Sequence, residues 1–435
     1  MHTHLSKNKL FSPLYFWLIY SVTTIIIFEF GPLQFPIENK FKLYSYLFIA
    51  HIFIVLGYYT GFKRFQGLRS YNYPAYVFKR KWLNIITFLA FMSVIFSFIG
   101  DLVSGSGISS AIDDPFQSRS SYSSRRGGAL GYVIAIFDIF RLPFLAIATI
   151  NYRSINKITR FVLFLIIFRI LYDALIGSSR AGLMQLLVVL FFCVLSLVYK
   201  RHTKLKLKRF FFLGAFLLIS FLAFSSYIAI NRVDTNEVNA IDNMVEYMAN
   251  NQRYEFDEDN IFVPKLPENI SLLNAGILTG YFYYTHAYAA LSHALNMPFI
   301  GTSLFFGHSD FSIRNLERIF GSEVLNLSYN YRLINEGFSA STLWITAYAW
   351  IASDTTFLGS FFLLYIFGYL YASTWIKSLT KPTLISSALF GWMAYFFFQI
   401  NMTFVPADLG AFISFWGCII IYMFRFRRRN DGINT

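Results

Sequence analysis

Charge is scarce in this chain: Asp, Glu, Lys and Arg make up 14% of 435 residues, where a soluble domain carries about 25%. Hydrophobic residues reach 56% and the mean hydropathy is +0.50, which excludes a soluble globular reading. Cysteine is nearly absent as well. Cys193 and Cys418 both fall inside long apolar segments, so neither a disulfide framework nor a thiolate metal site is expected. Acidic residues are outnumbered, 23 to 37, and the net charge of +14 reads as a topology and lipid-surface signal, not as a nucleic-acid footprint. No cleavable signal peptide is visible, because the first apolar stretch is long, continuous and without a small-residue cleavage site; it is expected to stay as the first helix. Nor is there an internal repeat, which weakens an inverted-repeat transporter. A nucleotide-phosphate loop, a haem motif and a Ser-His-Asp order are missing too.

Long hydrophobic runs are what the chain does have. A hydrocarbon core about 30 Å thick needs roughly 20 apolar residues per helix, and ten segments satisfy it, near 11–30, 43–62, 82–101, 130–150, 158–177, 181–200, 210–230, 355–376, 384–402 and 407–425. The fold class expected is an all-α polytopic membrane protein. Lys and Arg gather at alternate gaps and at both ends: Lys7 and Lys9, then clusters in 63–81, 151–160 and 200–209, then Lys377 and Lys381, and finally 425–429. These hold 23 of the 37 cations. By the positive-inside rule both termini are expected in the cytoplasm. The chain then divides into helices 1–7 over 1–230, an extracytoplasmic loop over 231–354, and helices 8–10 with a basic tail over 355–435.

A loop as long as 231–354 inside a compact protein is usually functional. Within it, 238–248 and 313–325 space apolar residues on one helical face and are expected to be short surface helices. The stretches 271–295 and 340–352 are nearly apolar enough to enter the bilayer. Ten spans with these two as interfacial or re-entrant pieces is the preferred reading; twelve spans is the alternative, with the same parity. A second outer stretch, 102–129, is rich in Ser and Gly and carries Arg119, Arg125 and Arg126, an anion-attracting loop.

Ionisable groups inside a bilayer cost several kcal/mol unless paired or wet, so each calls for a reason. Asp138 and Arg141 lie in the fourth segment. Arg169 and Asp173 lie in the fifth, four residues apart on one face. They are either salt bridges gluing helices or part of a site. The site reading draws on the tight turn Ile176-Gly-Ser-Ser179-Arg180-Ala-Gly182, which puts Arg180 at the outer start of the sixth helix. Orphan N–H groups and the helix dipole favour an anion there. Arg180 and Arg169 together would form a cationic pocket suited to phosphate oxygens, which planar guanidinium groups bind better than ammonium. The bland reading of Arg180 is snorkelling to head groups. Arg232 either joins that pocket or marks the membrane edge. In the loop Arg314, Arg318 and Arg332 are candidates for phosphate or sugar contact. A general base would come from the outer side, among Asp234, Glu237, His286, His293, His308, Asp310, Glu336 and Asp354. His286 and His293 share a helical face but have no carboxylate at ligand spacing, so no metal is expected. Tyrosines at 281, 283, 284, 288, 329 and 331 fit a sugar-stacking surface, although in a membrane protein such tyrosines are more often interfacial anchors.

Three short elements carry a resemblance. Gly177-Ser-Ser-Arg180-Ala-Gly-Leu183 is similar to the Gly-Ser-Arg-small-Leu element of the Wzy-type oligosaccharide repeat-unit polymerases, which build O-antigen and capsule. Asn296-Met-Pro298-Phe-Ile-Gly301-Thr-Ser-Leu-Phe305 resembles that family's Pro-x-Gly-Thr-Phe stretch. Ser341-Thr342 through Asp354-Thr-Thr-Phe-Leu-Gly359 is similar to its Tyr-Thr element followed by Asp-Phe-Gly-x-x-Gly, with Thr355 and Thr356 replacing Phe-Gly. O-antigen ligases and SEDS-type cell-wall polymerases look similar in plan.

The resemblance implies a GT-C-like plan with a large outer loop between spans 7 and 8. It also implies a glycosyltransferase that polymerises undecaprenyl-pyrophosphate-linked repeat units on the outer face of a bacterial cytoplasmic (inner) membrane, making O-antigen, capsule or exopolysaccharide. The lipid-linked oligosaccharide serves as donor and as acceptor. Membrane lipids, a chain-length regulator and a flippase are the partners implied; no nucleotide cofactor, obligatory metal or nucleic acid is. Mapped onto this sequence, the catalytic candidates are Arg180, Arg169, Arg232, Asp354 and His286. The substrate-binding candidates are Arg141, Asp173, Ser179, Arg314, Arg318 and Arg332. A flippase or secondary transporter, or a ligase, remains the alternative.

Overall fold

In the absence of water a backbone can satisfy its N–H and C=O groups only within a helix or a closed barrel, and this chain takes the first course. The structure, a computed structural model, describes residues 6–65, 80–105, 128–176, 180–200, 206–230, 255–257, 259–263, 272–303, 306–338, 345–405 and 409–431. Ser179, Arg232 and the expected helix 238–248 lie outside the described residues, as do Arg119, Arg125 and Arg126.

The helices are α1 Lys7–Phe30, α2 Lys40–Phe65, α3 Arg80–Ser104, α4 Gly128–Asp138, α5 Arg141–Ile150, α6 Lys157–Ile176, α7 Arg180–Tyr199 and α8 Leu207–Ile230. After them come α9 Leu272–Asn296, α10 Asp310–Phe320, α11 Tyr329–Arg332, α12 Ala347–Thr380, α13 Leu384–Gln399 and α14 Leu409–Asp431. Two-residue strands β1 Leu33–Gln34 and β2 Glu255–Phe256 pair antiparallel. Each of the ten expected spans corresponds to a helix, the fourth being split into α4 and α5. Seven helical stretches among the described residues are long and apolar enough to cross a membrane. The three expected spans outside that set are α6, which carries charges along its length, α13, and the apolar stretch Leu409–Arg425 of α14; the last two are shorter. The chain is thus an all-α, multi-pass type of membrane protein.

Small residues decide how closely the helices approach. A Cβ at Gly57 of α2 would lie 2.0 Å from the carbonyl oxygen of Tyr365, and one at Gly368 of α12 would lie 2.3 Å from that of Ile54. Bare backbones therefore touch along the α2–α12 seam, the membrane device in which glycine lets dispersion replace a hydrophobic driving force.

One end of the bundle gathers residues of the basic gaps. The Trp375 indole donates to the Lys9 carbonyl at 3.0 Å and the Tyr58 hydroxyl to that of Leu10 at 2.7 Å. Lys9 lies over the Tyr199 ring, and Lys377 over those of Phe65 and Tyr422. The opposite end holds Lys40 against Glu29 at 2.9 Å, the β1–β2 pair, and Lys42 donating to Asn296 of α9 at 3.0 Å. The successive helices α1 and α2 consequently run antiparallel, and the last turns of α7 and α12 lie at the same end as the start of α1.

The loop region contributes packed structure of its own. The amphipathic pattern over 313–325 appears as α10 followed by a 3-10 turn at Ser322–Leu327, and Ser309 caps α10 through the Ser312 N–H. The stretch 271–295 forms α9, whose Tyr284 and Tyr288 pack on Tyr20 and Phe28 in the second half of α1. Of the expected re-entrant region 340–352, residues 340–344 lie outside the described residues, and residues 347–352 begin α12 and are all buried.

α12 does not run straight. Thr356 has φ +66° and ψ 164°, a left-handed backbone on a β-branched residue, and divides the element into two helices. Such a conformation costs about 1–3 kcal/mol and persists where surrounding contacts over-determine it. The Thr356 hydroxyl accepts from the Gly359 N–H at 3.1 Å, capping the second helix.

Candidate functional site

Two buried polar assemblies and one helix terminus collect several of the residues singled out above. The first assembly lies between α3, α4, α5 and α6. Arg169 is fully buried; its Nη1 donates to Asp101 at 2.5 Å and its Nη2 to Asp173 at 2.7 Å. Phe98 and Tyr172 present ring faces to the same guanidinium at 4.5 and 5.0 Å. Asp173 turns its other oxygen to Arg141 Nη1 at 2.9 Å, and Arg141 Nη2 reaches Asp138 at 2.8 Å. Ser97 and Ser93 accept from Arg141 at 2.9 and 3.3 Å, and Ser93 donates to Asp138 at 2.6 Å.

The four ionisable residues read from the sequence, Asp138, Arg141, Arg169 and Asp173, are thus brought into one network. Its fifth member, Asp101, was not anticipated, although a signal exists: Ser93, Ser97 and Asp101 follow one another at four-residue spacing on an otherwise apolar helix. The geometry also departs from the expected partnership of Arg169 with Arg180. Arg169 is committed to two carboxylates, because a guanidinium in an apolar interior keeps its charge only against counter-charges and hydrogen bonds.

The second assembly sits at the break in α12. Asp354 accepts from Ser303 Oγ at 2.5 Å and from the Gly307 N–H at 3.2 Å on one oxygen. The other accepts from the His308 N–H at 3.0 Å and from His308 Nδ1 at 2.7 Å. The Trp416 indole donates to His308 Nε2 at 3.0 Å. An indole N–H can only donate, so Nε2 is the acceptor and Nδ1 carries the proton directed at Asp354. Asp354 therefore ties Ser303, Gly307 and His308 to α12, with His308 buried among Phe404, Phe412 and Trp416.

Arg180 is the first residue of α7 and half-buried, with its guanidinium 5.5 Å from the centre of the Tyr283 ring of α9. The start of α7 and the middle of α9 therefore meet. The sequence separates Tyr283 from Arg180 by an entire span and much of the loop, and nothing in the local pattern announces the contact.

The remaining candidates are dispersed. His286 is buried in α9, stacked on Phe282 at 4.9 Å, with Nδ1 3.0 Å from the Phe282 carbonyl oxygen. Arg314 contacts Asp310 at 3.3 Å and the face of Tyr331, whose hydroxyl donates to Asp310. Burial and the hydrogen bond to Asp310 raise the Tyr331 phenol far above its ordinary value. Arg318 reaches Asn315 at 3.5 Å. Arg332 donates to the Pro298 carbonyl at 2.8 Å and stacks over Tyr329 at 4.5 Å; its partial burial lowers its pKa. These loop arginines hold the loop's own elements together.

Fold and sites together define a multi-pass helical membrane protein with ionisable groups organised inside the bundle. No family model, curated protein or solved structure matches the chain.

Proposed function

We propose that this protein is a membrane glycosyltransferase that polymerises undecaprenyl-pyrophosphate-linked oligosaccharide repeat units into a surface polysaccharide, O-antigen, capsule or exopolysaccharide. The observation that carries the reading is Arg180: a guanidinium at the N-terminus of a membrane-length apolar helix, beside an aromatic ring of the loop region, in a turn that resembles the polymerase element. In the reaction the bond from the anomeric carbon to the pyrophosphate oxygen breaks, and a bond from that carbon to an acceptor hydroxyl forms. The electron pair leaves with the lipid pyrophosphate, and the hydroxyl proton passes to a base. Departing diphosphate needs charge stabilisation, which preorganised N–H donors and a guanidinium supply. In this reading Arg180 meets the pyrophosphate, with Arg232 and Ser179 of the neighbouring segments assisting, on the extracytoplasmic face of the inner membrane. The Arg169 and Arg141 network fixes the relative positions of α3 to α6 beneath that face. Asp354 positions the 303–308 segment and His308.

The test is a reconstitution. Purified protein given a defined lipid-linked repeat unit is expected to produce a ladder of chain lengths, and Arg180→Ala is expected to remain inserted and abolish it. Long polymer made by that variant would remove the proposed site. A second reading, a polysaccharide flippase or transporter, draws on the buried Asp101–Arg169–Asp173–Arg141–Asp138 network, since ionisable groups inside membrane helices frequently mark translocation pathways. Vesicle transport of the lipid-linked unit without polymerisation would select it. An O-antigen ligase would instead transfer preformed polymer to a lipid acceptor and make no ladder from repeat units alone.

A further inference from the structure

The face that α8 turns to the bundle is buried toward its two ends and open between them. Phe210 is 4% exposed near the start, and Phe221 and Ser225 are 8% and 4% exposed further along. Between them Leu213, Leu217 and Leu218 are 46%, 39% and 56% exposed. Phe210, Leu213, Gly214, Leu217, Leu218 and Phe221 recur at helical spacing and line a cavity of about 400 Å³, whose other walls are α1, α7, α12 and α13. We propose that this cavity takes one acyl chain of an anionic glycerophospholipid, whose phosphate is held by Lys9, Lys206 and Arg209 at the basic end of the bundle. The inference goes beyond the polymerase reading and does not depend on it.

Three observations support it. The first is where the cavity leads. On α8, Arg209 stands one turn before Leu213, and Lys206 one turn before Phe210, so both exposed cations continue the cavity-lining face. On α1, Lys9 stands two turns before Phe16, another lining residue, on the same face. On α12, lining Tyr371 is one turn from Trp375, whose indole donates to the Lys9 carbonyl at 3.0 Å. Helical side chains lean toward the N-terminus, which lies at this end for α1 and α8, so the cations reach out over the mouth of the cavity. The first turn of α8 holds no acidic residue, and its orphan N–H groups add to the attraction for a phosphate.

The second is length. From Phe210 to Phe221 α8 rises about 16 Å, close to half of a hydrocarbon core about 30 Å thick. That is the depth of one leaflet, and hence of one acyl chain whose head rests beside Arg209. The many isoprene units of a polyprenyl lipid exceed it.

The third is a donor left open on the wall. Trp17 lines the cavity and is 3% exposed, and its indole N–H has no hydrogen-bond partner among the described residues. No protein group closes the wall there, whereas the double bond of an unsaturated chain offers the indole a weak N–H···π partner. In this arrangement the lipid completes the contact of α8 with the bundle between its two buried ends.

The test uses the full chain in nanodiscs holding equal parts of dioleoyl phosphatidylglycerol and dioleoyl phosphatidylethanolamine, with undecaprenyl phosphate as a competitor. The two phospholipids share their chains and differ only in their heads. After detergent delipidation, native mass spectrometry reads what stays bound. Phosphatidylglycerol is expected to be retained about tenfold over phosphatidylethanolamine. The double variant Lys206→Ala, Arg209→Ala changes exposed positions only and is expected to lose that preference. Leu217→Trp fills the cavity from α8 and is expected to lower the retention of both phospholipids by about tenfold. A phosphatidylglycerol carrying a diazirine in its acyl chain is expected to crosslink to α1, α7 and α8 of the unaltered protein, a readout that needs no variant to fold. Equal retention of the two heads, undecaprenyl phosphate bound in place of phosphatidylglycerol, an unchanged preference in the double variant, or crosslinks confined to other helices would overturn the assignment.

Discussion

Arg169 and Arg180 belong to the same pair of adjacent helices, yet their surroundings are opposite. Arg169 lies in the middle of α6, fully buried, with carboxylates from α3 and from its own helix on its two terminal nitrogens. Arg180 lies at the start of α7, half-buried and over an aromatic ring. A guanidinium in the interior of a bundle is saturated by counter-charges and serves packing. The same group at a helix terminus keeps the setting in which an anionic ligand is stabilised. Residue type alone does not separate the two; their places along the helices do.

The largest effect that probes this contrast is Arg169→Ala. It leaves Asp101 and Asp173 buried without their common cation and is expected to destabilise the protein by roughly 3–5 kcal/mol, read as a collapse of the thermal unfolding midpoint in detergent. Arg180→Ala is expected to change stability by no more than about 0.5 kcal/mol while abolishing chain extension. If the two variants unfold alike, the contrast is lost.

Gly57→Leu breaks the seam on which the bundle is built, with no room for a Cβ at the Tyr365 carbonyl. Overpacking of about 1–3 kcal/mol or more is expected, seen as lost monodispersity on size-exclusion chromatography. Next is Asp354→Asn, which replaces an acceptor of four donors by a group that must donate. A loss of about 1–3 kcal/mol is expected, with increased proteolysis of the 303–308 segment as its signature. An unchanged cleavage pattern would show that Asp354 does not clamp that segment. Smallest is Arg314→Ala, which removes a half-exposed pair with Asp310 and a ring contact. Less than about 1 kcal/mol is expected by thermal shift, and a larger loss would mean that the loop arginines carry more of the fold than Arg180 does.

Much of the architecture was legible in the residues. The ten apolar runs appear as helices because chain length, hydropathy and the demand for internal backbone hydrogen bonding leave a membrane segment few alternatives. The spacing over 313–325 announced α10, and the four-residue spacing of Arg169 and Asp173 announced their bond. Less was legible at the sites. Asp101 completes the Arg169 pair from another helix, Trp416 reaches His308 from the last one, and Tyr283 reaches Arg180 from the loop region. The break in the fourth segment, where Asp138 closes α4 and Arg141 opens α5, does have a local mark: Pro143 has no N–H to give the Ile139 carbonyl, which accepts from Ser414 instead.

By itself, then, the amino-acid order determined the helical membrane class, the positions of the spans and the gathering of cations in alternate gaps, since these depend on local hydropathy and charge. The tertiary structure decided that Arg169 meets carboxylates from two helices and that Arg180 meets the ring of Tyr283. It also decided that Asp354 holds a histidine in one tautomer and that bare backbones meet at Gly57 and Gly368. Those outcomes depend on which helices become neighbours and at what distance, and contact energies between residues far apart in the chain exist only once the bundle has closed.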